Sequence, residues 1–168
     1  MNPTGPRPSR PGIVVVYDEV VKETDRVWTE RDALNARAGY IITTGGIIVG
    51  PITAVLVTTA SAAPVQRVIV HVGMVVALLL FVCVVYYAGR AYGEDDFKSV
   101  NPIALTTYVT EPDEDVQWDL LGVRLANHLD NRRILMQKTR LIGRALRFLL
   151  VEVVWLAVVL GVVIGVAQ

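Results

Sequence analysis

The stretch Val68–Ala88 reads VIVHVGMVVALLLFVCVVYYA, and its reading decides the fold. It contains no Asp, Glu, Lys or Arg and no proline. As a helix it would rise about 30 Å, the depth of a bilayer's hydrocarbon core, which takes roughly 20 apolar residues to cross. Working outward, Tyr40–Ala60 precedes it and Phe148–Ala167 follows it, each of comparable length and largely apolar. Three such segments predict an integral membrane protein. In a chain of 168 residues they leave little length for a soluble domain, which removes most enzyme classes.

Composition points the same way, with 53% hydrophobic residues, as a polytopic membrane protein with modest soluble parts would have. The formal net charge is zero, yet the cations are sorted along the chain. Six Lys/Arg precede the first span, Arg67 stands alone between the first and second, and nine lie between the second and third. The positive-inside rule therefore places the N-terminus and the long second loop in the cytoplasm. The Ser61–Arg67 turn is then outside, Gln168 ends just outside, and the expected location is the plasma membrane. Cys83 is the single cysteine and lies in the second span, so neither an internal disulfide nor a cysteine metal site is expected. Met1–Gly12, with Pro3, Pro6, Pro8 and Pro11, reads as a disordered tail and not as a signal peptide.

Between tail and first span, Ile13, Val20, Val27, Leu34 and Ile41 recur every seven residues. A narrow stripe of this kind predicts a helix packed along one seam, and no proline separates it from the span. Residues 93–112 read as a loop, with Asn101-Pro102 and Glu111-Pro112 as its turns. Thr110 is a good N-cap, and Asp113, Glu114 and Asp115 suit the positive end of a helix dipole. No proline follows, so Asp113–Ala167 reads as one helix, roughly 80 Å long, with Gly122 and Gly143 as its weak points. The predicted fold class is an all-α membrane protein. Its three transmembrane helices carry a cytoplasmic helical bundle made by the N-terminal helix and the helix before the last span. The expected layout is a tail (1–12) and one membrane domain (13–168). That domain divides into a stalk (13–39), a first span (40–60), a second (68–88), the loop (93–112), a second stalk (113–147) and the last span (148–167).

No catalytic constellation is visible, and no metal or cofactor is expected. His71 lies near the outer end of the second span, and His128 stands by itself on the second stalk, without the partner spacing a metal site needs. The acidic runs Glu94–Asp96 and Glu111–Asp115 read as solvated loop and helix-start carboxylates. The first span carries Thr43, Thr44, Gly45, Gly46, Gly50, Pro51, Thr53, Thr58 and Thr59. Two readings are open: close packing with a proline kink, or threonine hydroxyls along a polar path or gate. Glu152 is the only acid inside a span. Intramembrane carboxylates are costly and face a partner or a wet cavity, so it reads as an ion pair with Arg37 or a neighbouring arginine, or as part of a gate.

Between Asp130 and Glu152 there are six Lys/Arg and no acid. Arg133, Arg140, Arg144 and Arg147 fall in a helical stripe roughly 60° wide, opposite Leu135, Ile142, Leu146 and Leu149. Such a basic collar meets anionic lipid headgroups or binds the phosphate of an anionic ligand. Three glycine pairs, Gly46/Gly50, Gly89/Gly93 and Gly161/Gly165, have the spacing that lets membrane helices approach closely. The last pair suits self-association.

Three stretches carry a family likeness: Asp32 to Tyr40 leading into the first span, Asn101 to Tyr108 after the paired spans, and Leu125 to Asn131 with Lys138 and Arg144 feeding the last span. In this layout the chain resembles the Pycsar transmembrane effectors and related SLATT-type membrane effectors of bacterial cyclic-nucleotide antiphage systems. The resemblance implies a membrane-associated protein that disrupts the bilayer on a signal and halts the infected cell. The expected partners are the lipid bilayer, further copies of the chain and a cyclic nucleotide or other anionic ligand, with no nucleic acid. No appended nucleotide-binding domain is visible in these residues, so the signal is expected to be sensed by the stalks or by a partner protein. The alternative reading is a non-enzymatic membrane scaffold or regulatory subunit that recruits a cytosolic partner through its stalks.

Overall fold

The structure, a computed structural model, describes residues 12–59, 64–93, 97–100 and 113–167, with the backbone alone at 51, 55–59, 65, 66, 113, 114, 166 and 167. The expected tail, the Ser61 turn, the Glu94–Asp96 run, the Asn101–Tyr108 stretch, the Thr110 cap and the Pro51 side chain lie outside the described residues. Three helices account for the fold: α1 (Ile13–Thr59), α2 (Pro64–Gly93) and α3 (Asp113–Ala167). No strand occurs among the described residues.

The helix bounds follow from local chemistry. The Gly12 carbonyl accepts from Val16 N–H at 3.2 Å and opens α1. Pro64 begins α2, where its missing N–H costs nothing. Arg90 sits in the last turn of α2, where a cation suits the negative end of the dipole, and Gly93 closes it. In α3, 55 residues without proline stay in one helix. Two helical stretches, Arg67–Gly93 and Asp115–Gly165, are long and apolar enough to cross a membrane.

Packing sorts the chain into two compact units, Met1–Arg31 with Asp96–Leu135, and Asp32–Asp95 with Met136–Gln168. In the first unit, Ile13 and Val27 are buried and Val20 is half-buried, so the seven-residue repeat of α1 marks its inward face.

In the second unit all three helices pack through small side chains. Ala38, Ile41, Val84, Ala88, Ala91, Ile142 and Ala145 form one buried cluster. Val70, Ala77, Leu156, Val159 and Val163 form another. Alanine at so many contact positions lets helices approach closely without a solvent-driven core. Gly45 and Gly73 carry this furthest. A Cβ at Gly73 would lie 2.8 and 2.9 Å from the two Val159 methyls, and one at Gly45 would lie 3.0 Å from the Phe81 ring. The Trp155 indole N–H donates to the Gly73 carbonyl at 3.0 Å and ties α3 to α2 at the same place.

Candidate functional site

The site is built on the inward face of α3. Ile142, Leu149, Leu156 and Val163 recur every seven residues, and so do Lys138, Ala145, Glu152 and Val159. The two series interleave at spacings of four and three, which is an a/d helix seam, and every member is buried or half-buried. Two of these inward positions carry charge. Lys138 is 0% exposed, and its ammonium donates to Asn35 Oδ1 at 3.0 Å. Glu152 is also 0% exposed, yet neither carboxylate oxygen has a hydrogen-bond partner among the described residues. Leu149 and Leu156 precede and follow it on the seam, each packed into one of the two apolar clusters. A carboxyl group withdrawn from water without a partner is strongly disfavoured, and more so at membrane depth.

A second feature of the same unit lies where α2 meets α3. Arg90, Gln137, Arg140, Leu141 and Arg144 line a cleft of 260 Å³. A neighbouring cleft of 360 Å³ is lined by Tyr87, Arg144, Arg147, Phe148 and Val151. Tyr87 and Phe148 stack at 5.5 Å between centroids and 9° between planes. The Arg144 guanidinium lies 5.8 Å from the Tyr87 ring centre, within cation–π range. Among the described residues neither cleft is lined by a carboxylate.

The first unit holds a different arrangement. Lys98 N–H donates to Asn131 Oδ1 at 2.9 Å, and Asn131 Nδ2 donates back to the Lys98 carbonyl at 2.9 Å. The Lys98 ammonium donates to Asp130 Oδ2 at 2.7 Å. These bonds fasten residues 97–100 to α3. The hydrogen bond and charge of Lys98, with a smaller contribution from Arg133, hold the Asp130 carboxyl below its ordinary value against a modest desolvation effect. Beside the clamp, Trp28 and Phe97 meet at 5.3 Å, with the Arg31 guanidinium over both rings. A cavity of 280 Å³ is lined by Trp28, Lys98, Ser99, Arg124 and Asn127, together with Asp25, Thr24 and Val100. The Arg124 Nε is buried there without a hydrogen-bond partner among the described residues.

The sequence-predicted residues are distributed unevenly over these features. Arg140, Arg144 and Arg147 line the two clefts, whereas Arg133 belongs to the other unit and sits 3.8 Å from Asp130. Arg37, Thr43 and Thr44 are exposed, and Thr43 Oγ1 donates to its own helix at Gly39 O. The structure therefore does not bring them to Glu152. Among the described residues no neighbouring atom lies within 4 Å of a Cβ built at Gly50, Gly89, Gly93, Gly161 or Gly165, and Gly46 only reaches the tip of Phe81. Close approach within the chain is at Gly45 and Gly73 instead. His71 hydrogen-bonds the Arg67 carbonyl. Among the described residues no three His, Cys, Asp or Glu gather as metal ligands would.

Several functional residues escaped sequence reading. Arg90, Gln137 and Tyr87 complete the clefts from positions whose partners are distant in sequence. The α3 seam had a usable signal, the seven-residue recurrence of Leu135, Ile142, Leu149, Leu156 and Val163, which puts Lys138 and Glu152 on the inward face.

The described residues are all-α, and two of their helices are long and apolar enough to span a bilayer, as the membrane class requires. Residues 20–165 match the family described as the Pycsar effector protein domain, and the chain belongs to that family. No curated protein and no solved structure matches the chain.

Proposed function

We propose that the protein is a signal-gated, membrane-perturbing effector of bacterial antiphage defence that acts as a homo-oligomer. The family membership supports the effector role. In this reading Tyr40–Ala60 supplies a third span, the N-terminus is cytoplasmic, and Gln168 ends outside.

The observation that carries the reading is Glu152, buried on the α3 seam with both oxygens unpartnered among the described residues. Such a group opposes the resting packing, because its desolvation is not offset by a hydrogen bond or an ion pair. Separation of the seam would admit water to the carboxylate and remove that cost. The described state is then a closed one held under tension, and a modest signal suffices to open it. The cavity beside Trp28, Lys98 and Arg124 is where we place the anionic signal, a cyclic nucleotide being the ligand the family suggests. Its aromatic ring and two cations offer stacking and phosphate contacts.

Expression in bacteria loaded with a potential-sensitive dye tests this. Wild-type protein should depolarise the cells, and Glu152→Leu, at equal membrane abundance, should do so at least tenfold more slowly. A wild-type protein that never depolarises, with or without cyclic nucleotides, would rule out the effector reading. A Glu152→Leu variant as active as wild type would remove the seam from the mechanism. The scaffold reading is favoured by the exposed Trp118, Leu125 and Leu129 on α3, which offer an apolar face to a cytosolic partner. It requires that Leu125→Glu with Leu129→Glu abolish function while Glu152→Leu preserves it.

A further inference from the structure

We propose that the paired clefts between α2 and α3 form a binding site for one anionic phospholipid, with the phosphate held by Arg140 and Arg144 and an acyl chain lying against Tyr87, Phe148 and Val151. Three guanidinium groups and the Gln137 amide line the 260 Å³ cleft. Guanidinium groups match phosphate oxygens in charge and in fork geometry. Among the described residues no carboxylate lines the cleft beside Arg140 and Arg144, and α3 carries no acid between Asp130 and Glu152.

The neighbouring 360 Å³ cleft decides between a lipid and a free phosphate. Arg144 lines both clefts, so they adjoin. Moving from Gln137 to Val151 along α3, and from Arg90 to Tyr87 along α2, the lining changes from polar to aromatic and aliphatic. On both helices that change runs toward the apolar span. From Gln137 to Val151 the axial distance is roughly 20 Å at 1.5 Å per residue, enough for a headgroup and the upper part of an acyl chain. A soluble phosphate ester would use the first cleft and leave the second empty. A lipid uses both, in the order in which a bilayer presents phosphate and hydrocarbon. The Tyr87–Phe148 stack supplies a flat apolar wall, and Arg144, over the Tyr87 ring, stands at the junction.

Native mass spectrometry of the full chain from detergent micelles tests the site. The probes are phosphatidylglycerol, diacylglycerol with the same chains, and water-soluble glycerol phosphate. Phosphatidylglycerol should be retained at least tenfold over diacylglycerol. Arg140→Gln with Arg144→Gln should remove that preference, whereas Arg132→Gln, an exposed charge outside both clefts, should leave it. Val151→Trp, which fills the second cleft, should lower phosphatidylglycerol retention at least fivefold. Equal retention of diacylglycerol, or equal losses for Arg132→Gln and the cleft variants, would overturn the site. Competition by glycerol phosphate at equal concentration, with Val151→Trp inert, would overturn the lipid assignment and leave a soluble phosphate ligand in its place.

Discussion

At the scale of single residues, the two buried ionisable side chains of α3 differ: Lys138 has an acceptor, whereas Glu152 has no donor among the described residues. Lys138 donates to Asn35, so Asn35→Leu should leave the ammonium short of an acceptor. The cost of such a loss is about 2–3 kcal/mol, read as a lowered thermal midpoint of the detergent-solubilised protein. Adding Lys138→Met should recover most of it, because replacing both partners removes the buried charge together with its lost acceptor. A double variant no more stable than the single one would show that Asn35 acts through packing alone. Little of this was legible in the sequence. Glu152 stood out because a lone acid in an apolar run is conspicuous. Lys138 looked like one more member of a basic collar, since nothing in its immediate neighbours announces that Asn35, 103 residues away, accepts its hydrogen bond.

At the scale of helices, the sequence was far more readable. Element bounds follow from proline and glycine placement, and the α3 bounds, Asp113–Ala167, follow from a long proline-free run that nothing interrupts. The contact faces were harder. Glycine spacing pointed to Gly46/Gly50 and Gly161/Gly165, but spacing cannot say which glycine meets a side chain across the seam. The structure puts the close approaches at Gly45 and Gly73. Gly73→Ala should therefore force Val159 and the α2–α3 contact apart, at a cost of about 1–3 kcal/mol. Gly161→Ala meets nothing among the described residues and should be neutral or stabilising by up to about 1 kcal/mol in thermal unfolding. If Gly161 faces a second copy, the same substitution should lower the solution mass in detergent, which light scattering reads. Gly73→Ala as stable as wild type would contradict the described packing.

For the molecule as a whole, charge sorting and apolar length made the membrane class legible before any coordinates. What they could not convey was how one helix serves two purposes. Packing in both compact units uses the same seven-residue rhythm, so a sequence reader sees a single pattern where the chain builds two. Threading is checked by impermeant thiol labelling of intact cells. In a Cys83→Ala background, Ser61→Cys should react from outside and His128→Cys only after lysis. Labelling of His128→Cys in intact cells would invert the proposed topology.

Cys83, the only thiol in the sequence, is half-buried on α2. The unmodified chain therefore carries one native attachment point for a nitroxide. In a preparation of identical copies every dipolar distance measured from that label is a distance between subunits, so spin-label spectroscopy can count neighbours and follow their separation on activation without altering a single residue by mutation.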